Sequence, residues 1–188
     1  MRIAPAVAAA LLVTGLTAGT ANATIVTNTG MLTYNCTFPG VTPQPTTLVA
    51  HLDVTDPHPG QPFTVTPYAT VTYSAAVKAL LGALGYDQVR GSISTTFSVV
   101  NATPPTGVLA GALPANPFTS GSVTGTPQVF TADAVAGSVS FAMGTGISES
   151  LEFHKKATGT WTAFASTCTI KATSPAQNRA FQPDVPIT

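Results

Sequence analysis

The stretch LTYNCTF, residues 32 to 38, alternates apolar and polar side chains at every step, and this period of two recurs along most of the chain. Alternation of that kind puts residues i, i+2 and i+4 on one face of a strand. Leu32, Tyr34, Cys36 and Phe38 therefore share a face, and that face is apolar. Segments of the same character lie at 30 to 38, 46 to 54, 62 to 73, 89 to 100, 127 to 132, 136 to 143, 147 to 154 and 160 to 171, separated by Gly, Pro, Asn and Ser. Strands at this spacing predict an all-β protein, a sandwich or a small barrel. Within them Val139, Phe141 and Met143 share a face, as do Leu151 and Phe153, with Glu152 and His154 pointing the other way.

One segment breaks the pattern. SAAVKALLGALG, residues 74 to 85, is apolar on nearly every side, with Ser74 placed to cap a helix and Gly85 to stop it. It is the one helix expected, and a helix apolar on most faces is expected to be buried, plugging one end of the sandwich. Residues 101 to 126 are rich in Pro, Gly and Ser and predict a long surface loop with one short strand near 108 to 111. Residues 172 to 188 carry three prolines and read as an extended tail or an edge strand.

Composition explains how such a chain meets water. Charged residues are 7% of it, against about 25% in ordinary soluble proteins, while Thr occurs 32 times. Hydroxyls thus replace ion pairs on the surface, and the stiff, branched Thr side chain suits a pleated sheet. A net charge of zero excludes nucleic acid and anionic membrane as partners, since both need clustered Lys and Arg. The one basic doublet, Lys155-Lys156, sits in HKKATGTW and reads as a solvated hairpin tip.

The chain opens with Met1-Arg2, an apolar run from Ala4 to Leu16 and the small-residue site Ala21-Asn22-Ala23. This is the pattern of a secretory signal peptide over residues 1 to 23, which leaves residues 24 to 188 as a single domain with an extended C-terminal tail. Beyond residue 23 no apolar run reaches the roughly 20 residues that span a bilayer. The expected location is secreted, extracellular or associated with the cell surface.

Export gives the two cysteines their meaning. Cys36 and Cys168 each lie on the apolar face of a predicted strand, and in an oxidising compartment such a pair is expected to form a disulfide. With 132 positions between them, the bridge is worth at most about 5 kcal/mol in the chain-entropy picture. The turn and cysteine pattern, LTYNCTFPG, HPGQPFTVTP, SAAVKALLGALG, GSISTTFSVV and STCTI, resembles an uncharacterised family of exported actinobacterial domains with a conserved cysteine pair. The resemblance implies an immunoglobulin-like β-sandwich with one short helix, and it implies no active site.

No motif for chemistry stands out. His51, Asp53, Asp56 and His58 in HLDVTDPHPG are the metal candidates, because imidazole and carboxylate at that spacing can ligate a zinc-like ion; the same residues also suit a polar strand face and a Pro-Gly turn. G-x-S-x-G, Gly-rich phosphate loops, CxxC and HExxH are absent from the sequence. Trp161, with Tyr68 and Tyr73, could form a sugar-stacking platform or lie in the core. No cofactor is expected. The reading is a non-enzymatic structural or binding module of the cell envelope or extracellular matrix. Its expected partners are a cell-wall or matrix component or other copies of itself. The alternatives are a small secreted hydrolase or an inhibitor of extracellular proteases using residues 101 to 126.

Overall fold

The computed structural model describes residues 23 to 135 and 137 to 188; the signal peptide expected over residues 1 to 23 lies, except for Ala23, outside the described residues. The strands are β1 (Thr24–Asn28), β2 (Leu32–Phe38), β3 (Val41–Thr55), β4 (Pro62–Tyr73), β5 (Tyr86–Val100), β6 (Ala102–Thr103), β7 (Thr106–Asn116), β8 (Ser120–Thr124), β9 (Gln128–Ala132), β10 (Gly137–Lys155), β11 (Thr160–Ile170) and β12 (Val185–Ile187), with one helix, α1 (Ala75–Ala83). Among the described residues the protein is all-β with a single short helix.

Every strand pairing is antiparallel, and one path runs β6-β9-β4-β3-β2-β11-β10-β5-β7. The path curls back on itself. β8 hydrogen-bonds β4 and also packs on β7, where Gly121 lies against Leu113 and Gly111 against Thr124. Two halves of one sheet thus face each other in a sandwich-like arrangement around a single core. Aromatic rings join the halves: Phe97 of β5 packs on Phe130 of β9, and Phe153 of β10 packs on Phe38 of β2 and on Phe118.

The disulfide forms between Cys36 and Cys168, which stand directly opposite each other on β2 and β11. It ties the first half of the chain to the last long strand.

Three expectations are corrected. Residues 101 to 126 are the short strand β6 and the strands β7 and β8 rather than a loop. Their Gly and Ala content reflects crowding, since Gly107 lies flat against the Phe97 ring with no room for a Cβ. The strands expected at 136 to 143 and 147 to 154 are, from Gly137 on, one continuous strand, β10, interrupted by a bulge. The helix is no plug: only Val77 and Leu81 are buried, Leu80 and Leu84 face solvent, and small alanines make up much of the rest.

The tail is a strap. Phe181 is buried in the core, β12 pairs with the start of β10, and Gln177 bonds the backbone of Thr33 through both ends of its side-chain amide.

Candidate binding face

Strands β5, β10 and β11 send alternate residues inward and outward. Val89, Ile93 and Phe97 of β5 and Leu151 and Phe153 of β10 enter the core. Their neighbours in sequence form the outer face, and the register sets them in rows: Ala112, Ser92, Ser150 and Ala165 across four strands, then Ala110, Ser94, Ser148 and Thr167. Every side chain in these rows is small. The face is a flat lane of hydroxyl and methyl groups without charge.

A hollow of about 430 Å³ opens in this lane. It exists because Gly144, Thr145 and Gly146 of β10 stand opposite Thr96 alone of β5, between the pairs Met143–Phe97 and Ile147–Thr95. Bulges of this kind are constructed features that re-aim side chains. Gly144 is required at the bulge, since a Cβ there would run into the Thr96 carbonyl. Hydrogen bonds fix the displaced carbonyls: Tyr34 donates its hydroxyl to Gly144 at 2.8 Å, Thr95 donates to Gly146 at 2.8 Å, and Arg179 from the strap donates to Met143. The hydroxyl-bearing residues around the hollow are Ser94, Thr95, Thr96, Thr145, Ser148 and Thr167.

Six residues further along β10, about 20 Å away, the lane ends in a polar and aromatic cluster. His154 Nδ1 lies 2.6 Å from Asp87 Oδ1, and Trp161 sits beside the His154 ring in the next strand at 5.1 Å. Arg90 stacks over the Trp161 ring at 4.1 Å and donates from Nε to Glu152 at 2.7 Å. A chain with so few charges thus gathers four ionisable groups and its only tryptophan on one patch. At the hairpin tip Lys155 is tied down, donating to the Leu84 carbonyl and lying over Tyr86.

The other sequence candidates are dispersed. His51 stacks on Tyr68 with ring centroids 4.6 Å apart, on the outer face of β3 and β4. His58 donates from Nδ1 to the Thr188 carbonyl at 2.7 Å, and Asp56 accepts from the Thr188 hydroxyl at 3.0 Å. His51 and Asp53 thus lie on a strand face, while Asp56 and His58 lie together in the β3–β4 turn, 4.0 Å apart, against Thr188 of the strap. Tyr73 is buried, and Tyr68 is separated from Trp161 by β3 and β2, so the three rings make no common platform.

The composition of the motifs did not single out a buried polar group beneath the lane. Glu149 points into the core, with a carboxylate oxygen within 4.8 Å of both disulfide sulfurs. Burial pushes its carboxyl above the usual carboxylate range, with the nearby Ser166 hydroxyl acting the other way. Burial likewise raises the Tyr73 phenol, and the nearby Glu149 charge raises it further. Tyr73 Oη, Glu149 Oε2 and Thr46 Oγ1 are buried and have no hydrogen-bond partner among the described residues. Both sulfurs are consumed by the bridge, so the trio of Cys36, Glu149 and Cys168 offers no thiolate to a metal. The signal for Glu149 was parity alone: it has the same parity as Leu151 and Phe153.

Among the described residues no helix is long and apolar enough to cross a membrane. Compared with known families, with curated proteins and with solved structures, the chain has no match.

Proposed function

We propose that the protein is an exported, non-enzymatic binding module of the cell envelope or extracellular matrix, holding a polyhydroxylated polymer against the outer face of β5, β10 and β11. The observation that carries this reading is the uncharged, hydroxyl-lined hollow in a lane of small side chains. Such a surface exchanges hydrogen bonds with neutral sugar hydroxyls at little desolvation cost, while the Trp161 edge of the lane offers an aromatic surface for sugar CH groups. The disulfide suits an oxidising compartment, the leader pattern of residues 1 to 23 suits export, and the resemblance to exported actinobacterial domains points the same way.

The test is retention of the oxidised protein, residues 24 to 188, on the producing cell's wall fraction and on purified neutral polysaccharides. Binding that is lost in Trp161→Ala and in Ser148→Phe, which fills the hollow, is the expected result. Monomeric behaviour together with no binding to any glycan would overturn the reading.

A second reading, a small secreted hydrolase, is favoured by one observation: Asp87 holds His154 Nδ1 as an orienting carboxylate holds a general base. It expects hydrolysis of a glycan or ester substrate that disappears in His154→Ala. The segment that a protease inhibitor would insert is folded into strands β7 and β8.

A further inference from the structure

The N-terminal half of β11 has a partner on one side only. Thr160 to Thr169 pair with β10 in unbroken register, but pairing with β2 covers only Cys168 to Ile170. Thr37 then leaves the ladder and closes it with its side chain, accepting from the Thr167 amide at 3.0 Å. Among the described residues no strand lies beside 160 to 165 on that side.

The direction of the free groups follows from the ladder. Thr167 and Lys171 point their amides toward β2, and backbone groups alternate sides along a strand. Trp161, Ala163 and Ala165 therefore turn their N–H and C=O groups outward, away from β10. Native proteins blunt such edges with charge, proline, bulges or short length. Residues 160 to 165, TWTAFA, have none of these. Other edges are short or partly covered: β8 packs against β7 without pairing, β6 is two residues long, β12 is three with a central proline, and the strap bridges the outer side of β1 at Asn28.

We propose that this edge binds the same edge of a second copy of the chain, in an antiparallel pair centred on Ala163. This names a partner for the module proposed above and rests on that reading. Centring on Ala163 sets Trp161 opposite Ala165 of the second copy and Ala163 opposite its counterpart, so each outward amide and carbonyl is paired. It also sets Phe164 opposite Thr162 of the second copy. A large side chain meets a smaller one on both faces, which is the self-complementarity an isologous contact needs. Net charge of zero leaves no long-range repulsion between copies, and the two outer lanes join on one side of a continuous sheet.

Sedimentation equilibrium of the oxidised chain, residues 24 to 188, tests this. The expected result is a dimer that dissociates on dilution, with the dissociation constant raised by at least about tenfold in Ala163→Pro. That change removes an outward amide and no bond within the chain. Ala163→Glu, which sets two carboxylates directly opposite each other across the pair, gives the same shift and decides the matter if the proline variant does not fold. A monomer at every concentration to about 1 mM, or a dimer indifferent to both variants, overturns the proposal. Variants that become monomeric yet stay on polysaccharide support the edge contact and the module reading separately; a monomeric wild type that still binds polysaccharide overturns the edge contact alone.

Discussion

Tyr34 on β2 donates its hydroxyl to the carbonyl of Gly144 in the β10 bulge, 2.8 Å across the core. The phenol is pushed up to about 12 by burial, with Arg179 opposing, so it stays a donor at any ordinary pH. One bond between residues 110 positions apart thus holds open the hollow on the outer face from beneath.

Tyr34→Phe leaves the Gly144 carbonyl without that partner. The expected loss is about 1 to 3 kcal/mol, read from urea unfolding of the oxidised protein. Polysaccharide retention should weaken as the bulge relaxes, whereas a variant that keeps full stability and binding would show the bulge is held by other means.

Replacing both Cys36 and Cys168 by Ala should cost about 2 to 5 kcal/mol. Wild-type protein unfolded in the presence of dithiothreitol should match the double variant, and equal denaturant midpoints for oxidised and reduced wild type would contradict the staple role.

Glu149 makes stability depend on pH in a stated direction. Its carboxyl is raised in the folded state, so folding favours the protonated form. The benefit is complete below the ordinary carboxylate pKa of about 4.3 and is lost as pH rises through the folded value. Glu149→Gln keeps the shape without the charge and should flatten the fall in melting temperature between acidic and neutral pH. A wild-type melting temperature that rises over that interval, with the Gln variant unchanged from it, would refute the assignment.

Phe181→Ala should destabilise the fold by about 3 to 5 kcal/mol, although Phe181 lies in a segment of low regular structure. The ring is buried against Phe97 and Phe141. Thermal unfolding reads the loss, and a change under 1 kcal/mol would show the strap to be dispensable.

The strands were legible where alternation was strict. Leu32 to Phe38, Phe63 to Tyr73 and Leu151 to Phe153 sit as their parity demands, and the cysteine pair followed from two such faces meeting. Residues 101 to 126 were not legible as strands, because Gly107, Gly111 and Gly121 occupy inward or contact positions that need the absence of a side chain. Composition reads those glycines as loop, while packing against Phe97 and Leu113 requires them in a sheet. The helix reads as buried because Ala counts as apolar, yet Ala covers little area, and Leu80 and Leu84 stay exposed. The candidate face had no motif to find: its rows join residues from four strands, and only register brings them together. The Asp87–His154 contact likewise spans 67 positions.

Ala23 and Thr188 both bond the Asp56–Pro57 turn, through the Asp56 amide and the Pro57 carbonyl. Ile187 pairs with Gly137, where β10 begins, and β10 then runs 19 residues to Lys155, about 60 Å of strand. The protein is therefore polar in the geographer's sense, with both of these positions at one pole and Trp161, Arg90 and the open edge of β11 at the other. Anything joined at the first pole would leave the second at the far end of that span.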